Sequence, residues 1–176
     1  MSSFLKWIVW VLIAAVGLHF VFLWLVPYVL MGAVIIGSSQ QNGVNAIYHA
    51  PKVDQTARTV VRPAPDLAYT TCAFDLRDGA LEVTMPKSQT YSSVSFFTDD
   101  TTNFFALNDR EVEGASQTII LMRESDRSTI VPPTAIGVRA PTTKGLVLFR
   151  RVIPSEDMWP VIDAERRKAD CKLIRS

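Results

Sequence analysis

The apolar positions of this chain fall into two regimes. From Trp7 to Val26 the sequence runs WIVWVLIAAVGLHFVFLWLV, twenty residues without a charge. As a helix it spans ~30 Å, the thickness of a bilayer's hydrocarbon core. Beyond residue 60 the long apolar run gives way to short stretches rich in aromatic and β-branched residues. These are Ala68 to Leu76, Leu81 to Met85 with polar residues between, Tyr91 to Thr98 and Asn103 to Leu107. Gln117 to Met122, Ala135 to Arg139 and Gly145 to Val152 complete the set. Arg77-Asp78-Gly79 supplies an Asp-Gly turn between the first two. Seven strands at ~10–15-residue spacing, with no helical pattern between them, predict an antiparallel sandwich or barrel. One helix is expected near the end, over Asp163 to Asp170, with an earlier start at Ser155-Glu156-Asp157 that Pro160 interrupts. The expected fold class is mainly β: an N-terminal transmembrane helix, an antiparallel sandwich and a C-terminal helix.

The first regime is too long for a cleaved signal, whose apolar core runs to ~7–15 residues. Gly32-Ala33-Val34 leads into Ile35 and Ile36 and offers no clean cleavage site. A permanent span is therefore expected over about residues 7–28. Trp7 and Trp10 mark one interface, and Trp24 and Tyr28 the other. Pro27 either ends or kinks the helix, or the helix continues to Ile36. The anchor is assigned residues 1–36, and Gly37–Gly43 (GSSQQNG) opens a linker and irregular segment over 37–59. The sandwich takes 60–176. His19 is polar within the span, which suits a neutral imidazole bonded to a neighbouring helix. Ala14 and Gly17 would allow another helix to approach.

Charge places the domain. Of 18 Lys and Arg, only Lys6 precedes Lys52, which leaves 17 basic against 17 acidic residues after the anchor. The positive-inside bias puts the N-terminus in the cytoplasm and the domain across the inner membrane, in the periplasm. A balanced domain has no footprint for nucleic acid. The run Glu165-Arg166-Arg167-Lys168, with Lys172 to Arg175, reads as a solvated helix face, with phosphate or headgroup contact as the alternative. In an oxidising compartment the two cysteines, Cys72 and Cys171, can form a disulfide, although Cys72 also suits a buried small hydrophobe.

Candidate chemistry is sparse. There is no Gly-x-Ser-x-Gly, phosphate-binding glycine loop, His-Glu-x-x-His or Cys-x-x-Cys. His49 is the only histidine outside the membrane stretch, so a nucleophile has one possible imidazole base. Asp99 to Asn103 offers oxygen ligands for a hard cation, but equally reads as a polar turn. The residues nominate no catalytic set, no metal site and no cofactor, and lean away from an enzyme.

The segment Arg62-Pro63-Ala64-Pro65-Asp66-Leu67-Ala68-Tyr69, followed by Ala73-Phe74-Asp75-Leu76, resembles the bacterial family called domain of unknown function 1254. Leu81 to Pro86, Tyr91 to Phe97, Asn103-Phe104, Val138-Arg139-Ala140-Pro141-Thr142, Leu146 to Arg150 and Glu156-Asp157 continue the likeness in order, over about Val60 to Ile162. Ala64 and Leu67 stand where the family carries Asn and Thr, and Thr90 where it carries Arg. The resemblance implies a jelly-roll-like sandwich. In longer relatives a second domain, of unknown function 1214, follows; short anchored forms often have it as a separate neighbouring protein. It also directs attention to Arg62, Asp66, Tyr69, Asn103 and Arg139 as a ligand or interface cluster, against the plainer reading of an Arg62–Asp66 ion pair and a core Tyr69. Three functions follow. The first is a periplasmic interaction or assembly module in an envelope complex, partnered by the bilayer and by a membrane or periplasmic protein of the 1214 type. The second is a small-ligand-binding or enzymatic jelly roll. The third is an accessory subunit of a respiratory or photosynthetic complex.

Overall fold

The computed structural model describes residues 3–54, 56–57 and 63–174. Helix α1, Ser3–Asn42, is 40 residues long, or ~60 Å. It is twice what a bilayer needs and runs through Pro27. Proline at that interior position removes one N–H donor from the helix ladder, and the helix continues past it. Residues 37–42, expected as linker, are instead its last turns, and Gly43 ends it with φ +91°, a conformation that suits glycine.

The reason for that continuation is tertiary. Nine strands among the described residues form two sheets. The first sheet has the order β1 (Ile47–His49), β2 (Leu67–Asp75), β8 (Lys144–Val152), β4 (Ser92–Thr98), β5 (Asn103–Asn108). The second has the order β7 (Ala135–Ala140), β6 (Ser116–Arg123), β3 (Ala80–Pro86), β9 (Asp170–Ile174). All pairings are antiparallel except β6 with β7, which are parallel. Strand alternation sends Cys72, Phe74, Val94, Phe96, Val147 and Phe149 inward from the first sheet. Leu81, Val83, Met85, Ile119 and Leu121 meet them from the second.

Both outer faces are covered too. The last turns of α1 lie on the first sheet, where Met31, Val34 and Ile35 pack with Ala73, Leu146 and Phe97. The Ser38 and Thr71 hydroxyls share a hydrogen bond of 2.7 Å. That contact is why a glycine- and serine-rich stretch stays helical. On the other side Val131, from the loop 124–134, packs over Ala80, Ile120 and Met122.

Two strands escaped the sequence reading. Segment Ile47–His49 is an edge strand on β2, and Asn45 extends it: its side chain donates to the Asp75 carbonyl and accepts from the Asp75 N–H, both at 2.8 Å. Strand β9 begins at Asp170, where the expected helix was to end. Helix α2 is shorter and earlier, Trp159–Arg166, preceded by a 3₁₀ turn over Glu156–Met158. It closes one end of the sandwich, with Ile162 buried against Ala68 and Ile153. Cys72 and Cys171 are joined as a disulfide. It links β2 to β9, and so ties the two sheets together across the core.

Candidate functional site

The residues that the family likeness brought forward do not converge. Arg62 lies outside the described residues. Asp66, exposed in the turn before β2, accepts the Ile153 N–H on its carbonyl at 2.8 Å. Tyr69 lies on the outer face of the first sheet, and its hydroxyl accepts the Ala64 N–H at 3.0 Å. Asn103 begins β5 at one edge of that sheet and is exposed. Arg139 belongs to the other sheet: its guanidinium donates to the carbonyls of Glu124 and Asp126, at 3.1 and 2.9 Å, and holds a turn. The Asp99–Asn103 segment is the polar β4–β5 turn. Asp100 accepts the Thr98 hydroxyl and the Thr102 N–H, which keeps its carboxyl below the usual range.

The chain instead gathers polar groups at the end of the sandwich that α2 closes. Strand β8 alternates apolar residues inward until Phe149, and the next inward position is Arg151. The residue is buried, with a relative exposure of 5 %. The guanidinium donates to Glu165 at 3.3 Å and to the Pro86 carbonyl at 3.2 Å. Burial pushes the Arg151 pKa down and Arg166 adds to this, while Glu165 opposes both. Arg166 comes from α2 and is equally buried. It donates to Asp163 at 2.7 Å and to the Tyr69 carbonyl at 2.8 Å, and stacks over Trp159 at 5.1 Å from the ring centre. Asp163 also holds Arg167, at 2.8 Å. Burial raises the Asp163 pKa, but the hydrogen bonds from Arg167 and Arg166 outweigh it and hold the carboxyl below its usual range.

Between these groups lies a cavity of about 10 Å³, room for one particle of about the size of water. Its lining includes Thr70, Ser92, Arg150, Arg151 and Arg166. The Ser92 hydroxyl and the Arg150 Nε are buried without a hydrogen-bond partner. Thr70 links the cavity to His49, whose Nδ1 lies 3.0 Å from the Thr70 hydroxyl. Burial lowers the His49 pKa first, then Arg166 and Arg167, against a smaller raising effect of Asp163.

Of this cluster the sequence brings forward only His49 and Tyr69; the buried arginines and their carboxylates carry no site reading there. Arg166 had been assigned to a solvated helix face; instead it is buried, because α2 turns that face onto β2. A signal was present at Arg150-Arg151: two arginines ending a strand that is otherwise apolar leave one of them facing inward whichever register holds.

A mainly β sandwich of two sheets, entered through a helix long and apolar enough to cross a membrane, is the class that these features define. Residues 44–172 match the family model described as "Protein of unknown function (DUF1254)", and the chain belongs to that family. The match runs from the residue after Gly43 to the middle of β9, nearly all of the sandwich, and is wider at both ends than the sequence likeness suggested. Among solved structures, the chain resembles the VPA0106 protein from Vibrio parahaemolyticus, at a TM-score of 0.61 and 11% identity over 84% of this chain. It also resembles an uncharacterised protein from Burkholderia cenocepacia, at 0.53 and 14% over 80% of this chain. At these identities the likeness is one of fold. The chain spans little more than a third of either protein, 37% and 38%. No protein of curated function matches the sequence.

Proposed function

We propose that this protein is a single-pass inner-membrane protein whose periplasmic sandwich is an interaction or assembly module in an envelope complex. The observation that carries the reading is the docking of α1. Met31 and Ser38 are buried on the first sheet by the same helix whose first half is apolar and exposed. A removable signal has no need of its distal turns as part of the domain's packing. A permanent anchor that fixes the domain's orientation at the membrane does.

Three further features agree. Lys6 on one flank and none until Lys52 on the other favours a cytoplasmic N-terminus. The Cys72–Cys171 bond suits an oxidising compartment. The cavity beside Arg151 and Arg166 is far smaller than the several hundred Å³ of an organic-ligand pocket. The larger groove of about 390 Å³, lined largely by polar and charged residues such as Arg123, Glu124, Arg127 and Thr142, is open to solvent. The favoured partner is a companion of the 1214 domain type, since this chain matches just over a third of its longer structural neighbours.

Co-purification tests the proposal. The full chain, expressed at native level and extracted in a mild detergent, is expected to bring down a stoichiometric membrane or periplasmic protein. Crosslinking in intact cells before extraction guards against loss in detergent. A chain that is monomeric by both routes overturns the proposal.

A further inference from the structure

The contacts of α1 show how its axis crosses the first sheet. At its end, the Asn42 side chain donates to the Ile47 carbonyl at 2.6 Å, on β1 at the sheet's edge. One turn earlier, Ser38 bonds Thr71 on β2, the next strand in. Earlier again, Met31, Val34 and Ile35 pack in one cluster with Ala73, with Leu146 of β8 and with Phe97 of β4. Each step between strands, about 4.8 Å, is thus matched by roughly three to four residues of helix, or about 5–6 Å of rise. The strands therefore run across the helix axis and are stacked along it, β1 beside its C-terminal end and β4 nearest its apolar half. One further step places β5 about level with Tyr28, at the close of the apolar stretch.

Strand β5 suits that level. It is an edge strand, and Asn103–Asn108 (NFFALN) carries no charge, although charge is a common guard of an open edge. Asn103 and Ala106 are exposed, while Phe104 and Phe105 are half-buried and meet Phe96 edge-on. An uncharged edge with free N–H and C=O groups is tolerated in the hydrated headgroup layer, and not in the hydrocarbon below it. Acids flank it at both ends, Asp99 and Asp100 before, Asp109 and Glu111 after, with Arg110 between the last two. Such flanks fit uncharged headgroups better than anionic ones. We propose that the β5 edge is a membrane-apposed surface, seated on the zwitterionic headgroups of the bilayer that α1 spans. This rests on α1 being a permanent span, and adds the direction in which the domain faces. Lipid then covers the open β5 edge, and the β1 edge stands about 19 Å further out, four strand spacings away.

The test uses the full chain in nanodiscs of phosphatidylethanolamine and phosphatidylcholine, with and without a nickel-chelating lipid. Ala106→Cys on β5 and Pro51→Cys just beyond β1, both at exposed positions, are made separately. Each carries a nitroxide attached without reductant, because the native cysteines are buried as a disulfide. Relaxation of the nitroxide by nickel at the headgroups reads its proximity to the bilayer surface. The enhancement is expected to be several-fold larger at position 106 than at position 51. Asn103→Cys serves as the second β5 position should Ala106→Cys fold poorly. Equal enhancement at the two edges, or a larger one at position 51, overturns the proposal, since α1 then hinges before it reaches the domain. Retention in membranes washed with alkaline carbonate tests the span separately. A chain that washes out overturns the span and this proposal together; a retained chain with no difference between edges overturns this proposal alone.

Discussion

The bond between Cys72 and Cys171 makes a quantitative prediction. The two residues are 99 positions apart and sit in different sheets, both buried in the same core. In the chain-entropy description, closing a loop of about 100 residues stabilises the native state by about 4–5 kcal/mol. With a urea dependence of about 2 kcal/mol per molar, removing the bond lowers the unfolding midpoint by about 2 M. Reduction without mutation isolates this effect, whereas the Cys72→Ala/Cys171→Ala variant also loses two packed sulfurs and should fall about 1–2 kcal/mol further.

The assay is urea unfolding of the full chain in a mild detergent. Far-UV and near-UV circular dichroism would be read together with fluorescence of Trp159. Of the four tryptophans it alone lies outside α1, and it packs against Arg166 and Lys52. Three samples are compared: oxidised, reduced with excess thiol, and the double alanine variant. Oxidised and reduced midpoints within about 0.3 M of each other would refute the argument, because the bond would then constrain nothing that the packed sheets do not already fix.

Two further perturbations address other parts of the fold. Gly145 is buried where β8 passes between β2 and β4, and a Cβ there would lie 2.1 Å from the Phe97 carbonyl oxygen and 2.5 Å from the Phe74 ring. Gly145→Ala should therefore destabilise the sandwich by more than about 3 kcal/mol, since backbone must move to relieve the clash; a urea midpoint within about 0.5 M of wild type sinks that account. His49 has a folded-state pKa below its ordinary value, so the folded protein binds fewer protons there than the unfolded chain. Its stabilisation is present above about pH 6.5 and is lost as pH falls through the lowered folded value. Wild-type stability should rise from pH 5 to pH 7.5 more steeply than that of His49→Asn, and parallel profiles would exclude His49 as the source.

Most strand positions were legible because a half-buried strand leaves a period-two pattern that survives in a single sequence. Residues 81–85 show it, while 145–152 were legible as a short apolar and β-branched run, and the observed limits of both differ from expectation by a residue or so. Edge strands β1 and β9 were not legible. Ile47–His49 is three residues long, and Asp170–Ile174 is rich in charge, so neither shows a periodicity that competes with turn or helix signals. Their pairing comes from neighbours: Tyr48 opposite Thr71, Lys172 opposite Glu82 with an ion pair at 2.8 Å.

The same division holds for the candidate site and the N-terminal helix. Composition alone determined that Trp7 to Val26 is long and apolar enough for a membrane, since hydropathy needs no partner to be read. It also determined that the rest is a charge-balanced β domain. Whether 37–42 is linker or helix depended on a sheet face that only the folded chain presents to Met31 and Ser38. Whether Arg166 meets water or the interior depended on how α2 rests on β2. Whether Cys171 meets Cys72 across the core depended on β9 joining the second sheet. Local pattern fixes what each segment prefers; burial of a polar group is decided by which surfaces meet, and that is a property of residues distant in sequence.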